Sequence, residues 1–347
     1  MLSVQYHPFE LEFEYPFTIA KGTKTHQPTL IVSLGTGNFT GYGEAPAITY
    51  YNVTVEGMIA QLQEKLPVIQ SYALTDPRRF WHFLEHLFPG ENFLIAALDI
   101  AGWDLFAKMR RMPLYMLLTL RMDKMPFTDY TIGAASPEIM LKKLQEHNAP
   151  VYKIKMRSAE DIQLIESLRS ATDKPFRVDA NESLDFDEVK KLLPDMKNLG
   201  VQLLEQPLKK TEWEAMKELK AISSIPLFAD ESCVKEADVK KCLDSFHGIN
   251  IKLTKCGGIT PALRMIKEAK QTGLKIMMGS MNESTIGTAA VAHLQPLLDE
   301  MDADGPLLLR EDVGEGLYYR EGKVHVSGGA GLGVNFWGEK RDAQATK

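Results

Sequence analysis

Lys155, Asp179, Glu205, Asp230 and Lys255 are separated by 24, 26, 25 and 25 residues (179−155, 205−179, 230−205, 255−230). Each closes a short apolar or β-branched run, such as Val-Tyr-Lys-Ile-Lys or Phe-Arg-Val-Asp. Three carboxylates at Asp179, Glu205 and Asp230 form an oxygen-only ligand set. Such a set suits a hard divalent cation and leaves positions for substrate and water, as Mg²⁺ prefers. A single acid at a strand end is more simply a helix cap or a lysine partner; three in register favour the metal. Lys155 and Lys255 flank the acids as candidate proton-transfer groups. Lys153 lies two residues before Lys155, on the same strand face. A second ammonium nearby disfavours charging, so one of this pair is expected to be neutral enough to act as a base. Lys252 reads as a solvated lysine beside a strand.

About 25 residues is enough for one strand, one loop and one return helix, so the charge rhythm marks consecutive βα units. From Thr128 onward, strands are expected near 129–132, 151–156, 176–180, 201–205, 226–230, 248–254, 275–279 and 300–304. Eight such strands suit a closed parallel barrel, whose C-terminal ends converge on one face and carry the chemistry. The first ~124 residues read differently. Strand-like runs at 11–13 and 30–34 precede helical patterns at 55–72, 77–87 and 92–109, an α+β arrangement. The expected division is an α+β capping region at 1–124, a barrel at 125–310, and a Gly-rich segment at 311–347 that returns to the first region.

Bulk properties exclude several classes. The net charge of −6 offers no electrostatic footprint for nucleic acid or an anionic membrane. The most apolar stretch, 92–109, is interrupted by Asp99 and Asp104 and reads as a buried helix rather than a span. Cys233, Cys242 and Cys256 lack metal-ligand spacing and read as reduced thiols. With no basic-then-apolar leader pattern, a cytoplasmic protein is expected. Nothing here fixes the oligomeric state, and a homo-oligomer is compatible with the sequence.

Lys153-x-Lys155, Val178-Asp179-Ala180-Asn181, Leu204-Glu205-Gln206-Pro207, Ala229-Asp230-Glu231-Ser232 and Asn250-to-Gly258 together resemble the enolase superfamily, specifically its muconate-lactonizing-enzyme subgroup. Gly41-Tyr42-Gly43-Glu44-Ala45, Ala97-to-Ala101 and Gly331-Leu332-Gly333-Val334 extend the resemblance across the chain. It implies an α/β fold: a (β/α)7β modified TIM barrel with an α+β capping domain formed by the N-terminal region and the C-terminal tail. It also implies Mg²⁺ on Asp179, Glu205 and Asp230. The metal would stabilise an enediolate formed when one lysine removes a proton α to a carboxylate and the other returns it on the opposite face. The histidines avoid the strand ends; His247 and His293 read as structural.

Asp302 and Asp304 are two residues apart on the last expected strand and face one side. The metal already has its ligands, so the pair would suit a substrate ammonium. The simpler alternative is a capping turn with one solvated Asp. This Asp-x-Asp resembles that of dipeptide epimerases, which implies a dipeptide as the small-molecule partner. Ser280, Gly279 and Met278 end the seventh strand, and the small pair would let a peptide backbone lie close. Glu283 reads as a helix-start acid. By resemblance, specificity comes from loops near 20–27 and 45–52. Lys24 is then the candidate partner for a side-chain carboxylate, as in L-Ala-D/L-Glu epimerases, with Tyr50 and Tyr51 as walls. The expected activity is Mg²⁺-dependent inversion of the C-terminal residue of a dipeptide, L-Ala-D/L-Glu first, as part of peptidoglycan turnover. The alternatives are an o-succinylbenzoate synthase or muconate cycloisomerase, which have no ammonium to bind, and a non-catalytic Mg²⁺-containing binding protein.

Overall fold

The computed structural model describes residues 1–338. Residues 339–347, the end of the expected returning segment, lie outside the described residues. The chain opens with an antiparallel sheet of β1 (Ser3–Ile19), β2 (Gly22–Thr36) and β3 (Phe39–Pro46) in that order. Two-residue turns, Ala20-Lys21 and Gly37-Asn38, join the strands; Gly37 supplies φ +56° in the second. The expected loop at 20–27 is thus mostly strand. Its tip is only Ala20-Lys21, because Thr23 and Lys24 pair with Thr18 and Phe17.

Three helices follow, α1 (Val55–Gln70), α2 (Pro77–Leu87) and α3 (Asn92–Met109), then a short α4 (Leu114–Leu117). Thr54 caps α1 by accepting from Gly57 N at 3.0 Å, and Asp76 caps α2 with Pro77 at its first position. α3 is apolar on every side and buried almost throughout, so it must be sandwiched between layers. Gly41 and Gly43 of β3 let it approach the sheet: a Cβ at either would collide with the α3 backbone at Ala101 or Ala97.

β4 (Tyr130–Ile132), β5 (Tyr152–Lys155), β6 (Phe176–Asp179), β7 (Val201–Glu205), β8 (Leu227–Ala229), β9 (Gly248–Ile251), β10 (Lys275–Met278) and β11 (Glu300–Met301) form one parallel sheet in sequence order. Between them run α5 (Pro137–Glu146), α6 (Ile162–Arg169), α7 (Phe186–Asn198), α8 (Trp213–Ile222), α9 (Glu236–Ser245), α10 (Leu253–Cys256), α11 (Ile259–Thr272) and α12 (Thr285–Leu294), and α13 (Gly305–Leu308) follows β11. A single bridge, Thr128 to Met301, closes the seam between first and last strands. Arg177, 2% exposed, reinforces it: Nη1 donates to Asp129 Oδ2 (2.8 Å) and Met301 O (2.7 Å), and Nη2 pairs with Glu300. Inside the barrel Leu203, Phe228 and Met277 form a small apolar cluster. Alternation places Lys153 and Arg177 inward as well, side by side in register.

The last described segment carries β12 (Gly314–Glu315), β13 (Leu317–Arg320), β14 (Lys323–Val326) and β15 (Asn335–Phe336). The β13–β14 hairpin packs on the barrel, where Gly322 O accepts from Thr128 N (2.9 Å) and Val324 O from Gln295 Nε2 (3.1 Å), while the 331–333 turn and β15 pack onto the N-terminal layer. Leu332 N donates to Asp104 of α3 at 2.7 Å, and Phe336 meets Phe9 and Tyr42 edge-on or tilted. Two buried carboxylates join that layer to the barrel. Glu44 of β3 accepts from Ser284 N (3.1 Å) and Gly287 N (2.9 Å) at the start of α12. Asp99 of α3 accepts from Thr260 N (2.9 Å) and Oγ1 (2.8 Å) at the start of α11. Each anion sits where unpaired N–H groups and the helix dipole favour it. Burial nonetheless pushes both carboxyls up to about 7, against the pull of these donors.

Candidate functional site

The C-terminal ends of β6, β7 and β8 bring one carboxylate oxygen each from Asp179, Glu205 and Asp230 within 4.8 Å of one another, all three residues buried. The register of β6 on β7 aligns Asp179 with Glu205. Burial, with Asp179 beside it, pushes the Glu205 carboxyl up to about 7. Burial opposes ionisation of Asp230 too, but Lys252 and Lys255 outweigh it and hold that carboxyl well below its ordinary range. Asn250 Nδ2 donates to Glu205 Oε1 at 2.7 Å, which leaves Oε2 toward the cluster. Three crowded, hard oxygen donors fit a divalent cation such as Mg²⁺.

The lysines stand on two flanks of this cluster. Lys155 Nζ donates to Asp179 Oδ2 at 2.6 Å. Lys255 Nζ donates to Asp230 Oδ1, to Asp230 O (2.6 Å) and to Asn250 O (3.1 Å). Lys255 does not close a strand, contrary to expectation. β9 ends at Ile251, and α10 carries Lys255 in a short turn stopped by Gly257 at φ +95°. Lys252 is the strand-end charge, and it is not solvated. It is 6% exposed and donates to Asp230 Oδ2 at 2.8 Å, because its strand position turns it into the mouth. Lys153 lies 2.8 Å from Asp302 Oδ2, 2.8 Å from Glu205 Oε2 and 3.2 Å from Asp179 Oδ2. Burial works against its charge, but Asp302, Glu205 and Asp179 prevail and hold it well above the ordinary lysine range. Lys153 therefore keeps its charge, and it shares Asp179 Oδ2 with Lys155.

A cavity lies over the cluster between the two layers. Phe17, Ile19, Lys21, Lys24, Tyr50 and Tyr51 line it from one side, and Lys155, Asp230, Lys252, Ser280, Asp302 and Asp304 from the other. β11 stops at Met301, so Asp302 and Asp304 lie beyond the strand, and Asp304 precedes α13. Neither is solvated: they are 5% and 1% exposed. Burial disfavours charge at Asp302, but Lys153 keeps its carboxyl below the usual range. Burial and then Asp302 push Asp304 up to about 7, and its Oδ2 accepts from Thr131 N at 2.6 Å.

Of the expected triplet, only Ser280 lines the cavity. Met278 packs into the layer between strands and helices, as alternation from the inward Met277 requires. Gly279 faces Asn250, whose side chain a Cβ would strike at 2.7 Å. Glu283 precedes the Ser284 cap of α12 and accepts from Met281 N at 2.7 Å, a turn role. His293 and His247 accept from backbone Tyr115 N (3.2 Å) and Leu227 N (3.0 Å). Lys24 donates to Gln27 Oε1 at 3.1 Å, and burial lowers its pKa. Lys21, at the tip of the β1–β2 turn, lines the same cavity. Its Nζ lies 2.8 Å from Glu182 and 2.9 Å from Glu231, and 3.7 Å over the Tyr50 ring. That latch ties the β1–β2 turn to two barrel loops.

Comparison with known proteins agrees with this geometry. The family model for the mandelate racemase / muconate lactonizing enzyme N-terminal domain matches residues 3–119, and that for the enolase C-terminal domain-like family matches 139–340. An L-Ala-D/L-amino acid epimerase of Flavobacterium johnsoniae is 43% identical over 94% of this chain and 97% of its own. An L-Ala-D/L-Glu epimerase of Bacteroides thetaiotaomicron is 32% identical over 96% and 88%. Among solved structures, a dipeptide epimerase of Methylococcus capsulatus, complexed with Mg and L-Arg-D-Lys, superposes with a TM-score of 0.91 at 30% identity. That match covers 96% of this chain and 99% of the other.

Proposed function

From a chain that belongs to the mandelate racemase / muconate lactonizing enzyme family of the enolase superfamily, we propose a Mg²⁺-dependent dipeptide epimerase that inverts the α-carbon of the C-terminal residue by 1,1-proton transfer. The observation that carries this is the pair Lys155 and Lys255 on opposite flanks of Asp179, Glu205 and Asp230. A proton α to a carboxylate is a very weak acid, because its removal adds a second negative charge to that carboxylate. Mg²⁺ held by Asp179, Glu205 and Asp230 would offset that charge. Lys155 accepts the proton on one face, and Lys255 donates one on the other. Each must first turn from its carboxylate, Asp179 or Asp230, toward the cavity. Lys153 and Lys252 keep their ammonium groups on the acids and hold the cluster rigid around the reacting carbon.

Asp302 and Asp304 receive the substrate's amino terminus. An acidic pair is poorly explained in a cycloisomerase or an o-succinylbenzoate synthase, whose substrates lack an ammonium. Two bases have no use in a binding protein. Lys24 lines the cavity with the Gln27 side-chain amide as its hydrogen-bond partner, which favours an acidic C-terminal side chain and keeps L-Ala-D/L-Glu as the first substrate to try. Phe17, Ile19 and the tyrosines would also accommodate apolar side chains. An L-Ala-D/L-Glu substrate would place the protein in peptidoglycan turnover in the cytoplasm. No helix among the described residues is long and apolar enough to cross a membrane.

The test is incubation of L-Ala-L-Glu with protein and Mg²⁺, followed by separation of the diastereomers. Appearance of L-Ala-D-Glu that EDTA abolishes supports the reading. An unchanged dipeptide across acidic, apolar and basic C-terminal residues would discard it.

A further inference from the structure

Asp129 immediately precedes β4 and has no part in the metal cluster. It is 1% exposed. One carboxylate oxygen from each of Asp129, Asp302 and Asp304 lies within 4.8 Å of the others, a second acid triangle at the barrel seam. The anchors all take Oδ2: Arg177 on Asp129 (2.8 Å), Lys153 on Asp302 (2.8 Å) and Thr131 N on Asp304 (2.6 Å). Asp129 Oδ1 is buried with no hydrogen-bond partner. A buried carboxylate oxygen left without a donor costs free energy that a bound cation recovers. Local charge points the same way. Arg177 is shared with Glu300 and Lys153 with Asp179 and Glu205, so neither cation is committed to the triangle alone.

Three points no more than 4.8 Å apart fit inside a circle of radius about 2.8 Å, an ordinary N–H···O distance. A primary ammonium carries three N–H donors. Asp302 and Asp304 line the mouth cavity, whereas Asp129 lines a different cavity. We propose that Asp129 is the third carboxylate of the receptor for the substrate's amino terminus, a specificity residue that takes the N–H directed inward between Asp302 and Asp304. The inference rests on the dipeptide reading above.

Asp129→Asn removes the charge and keeps an oxygen for Arg177. Its test uses two substrates: a dipeptide with a free amino terminus, and the same molecule with hydroxyl in place of the amine. For each, kcat and KM for epimerisation are measured. The expected result is that the kcat/KM preference for the amine falls at least about tenfold in Asp129→Asn. That loss lies in KM for the amine, while the hydroxyl analogue is unaffected. An unchanged preference, or an equal loss with both substrates, overturns the role; the second outcome marks Asp129 as a structural partner of Arg177. Should Asp129→Asn not fold, Asp129→Asn with Arg177→Met removes the pair together and is held to the same criterion. Asp302→Asn separates this failure from that of the parent reading. If it too leaves the amine preference unchanged, the amino terminus does not bind at this seam at all. If sodium or methylammonium chloride inhibits wild type without competing with the amine substrate, the triangle is a separate cation site, and the proposal fails.

Discussion

At the residue scale the decisive feature is that every catalytic candidate is already engaged. Lys155 and Lys255 are each bound to a different member of the acid cluster. Replacing either by Ala should reduce epimerisation by roughly 10²–10⁴. The lost step differs, however. The remaining lysine can still remove and return a proton on its own face, so each variant should wash deuterium into only one of the two epimers. Exchange of both epimers by a single-lysine variant would contradict the two-base assignment. Lys24 makes a milder prediction. Lys24→Met should lower kcat/KM for a C-terminal Glu by about tenfold relative to an apolar residue, the worth of one charged hydrogen bond. Equal losses would remove Lys24 from specificity.

The residue scale also shows what a sequence can hide. Asp179, Glu205 and Asp230 were legible because a strand end fixes both depth and direction. Lys255 was legible by its rhythm but not by its local structure, since Gly257 lets a helical turn replace the strand's last residues. Lys252 looked solvated because its partner, Asp230, is supplied by the neighbouring strand. Met278 was misassigned by one position of alternation. Asp129 carried no signal of its own, because its neighbours Asp302 and Arg177 become neighbours only when the barrel closes.

At the element scale, the β1–β2 turn depends on Lys21. The pair with Glu182 is partly exposed and contributes less than about 1 kcal/mol to global stability. Its effect should be local: Lys21→Met should accelerate amide exchange across residues 16–24 while leaving Tm within a degree or two of wild type. An unaltered exchange pattern would mean that the strands alone hold the turn. The joint between layers has a different signature. Glu44 and Asp99 have folded pKa values near 7, above their ordinary values of 4.5 and 3.8. Between those limits the folded chain binds protons that the unfolded chain has released. Their contribution is therefore full below pH ~4 and declines as pH rises to ~7, by on the order of a few kcal/mol. Urea titrations from pH 5 to 8 should show Glu44→Gln with a flatter profile than wild type; parallel profiles would refute this.

For the whole molecule, the fold solves one electrostatic problem: three carboxylates buried at a barrel mouth, with lysines as the available counter-charges. A divalent cation that binds only the folded state should stabilise it by about 2.7 kcal/mol at a hundredfold excess over Kd. The rise in Tm with Mg²⁺ should vanish in Asp179→Asn. The barrel and the flanking α+β layer were legible in outline, since 25-residue periodicity and its absence are properties of the chain. How the layers interlock was not. Gly41, Gly43, Glu44 and Asp99 act through helices 54 to 243 residues away (97−43, 287−44).

The most direct test of the account is deuterium incorporation. Purified protein, Mg²⁺ and L-Ala-L-Glu in D₂O should yield L-Ala-D-Glu carrying one deuterium at the α-carbon of its C-terminal residue, with no gain in the presence of EDTA. Inversion without deuterium, or deuterium at any other carbon, would contradict proton transfer between Lys155 and Lys255.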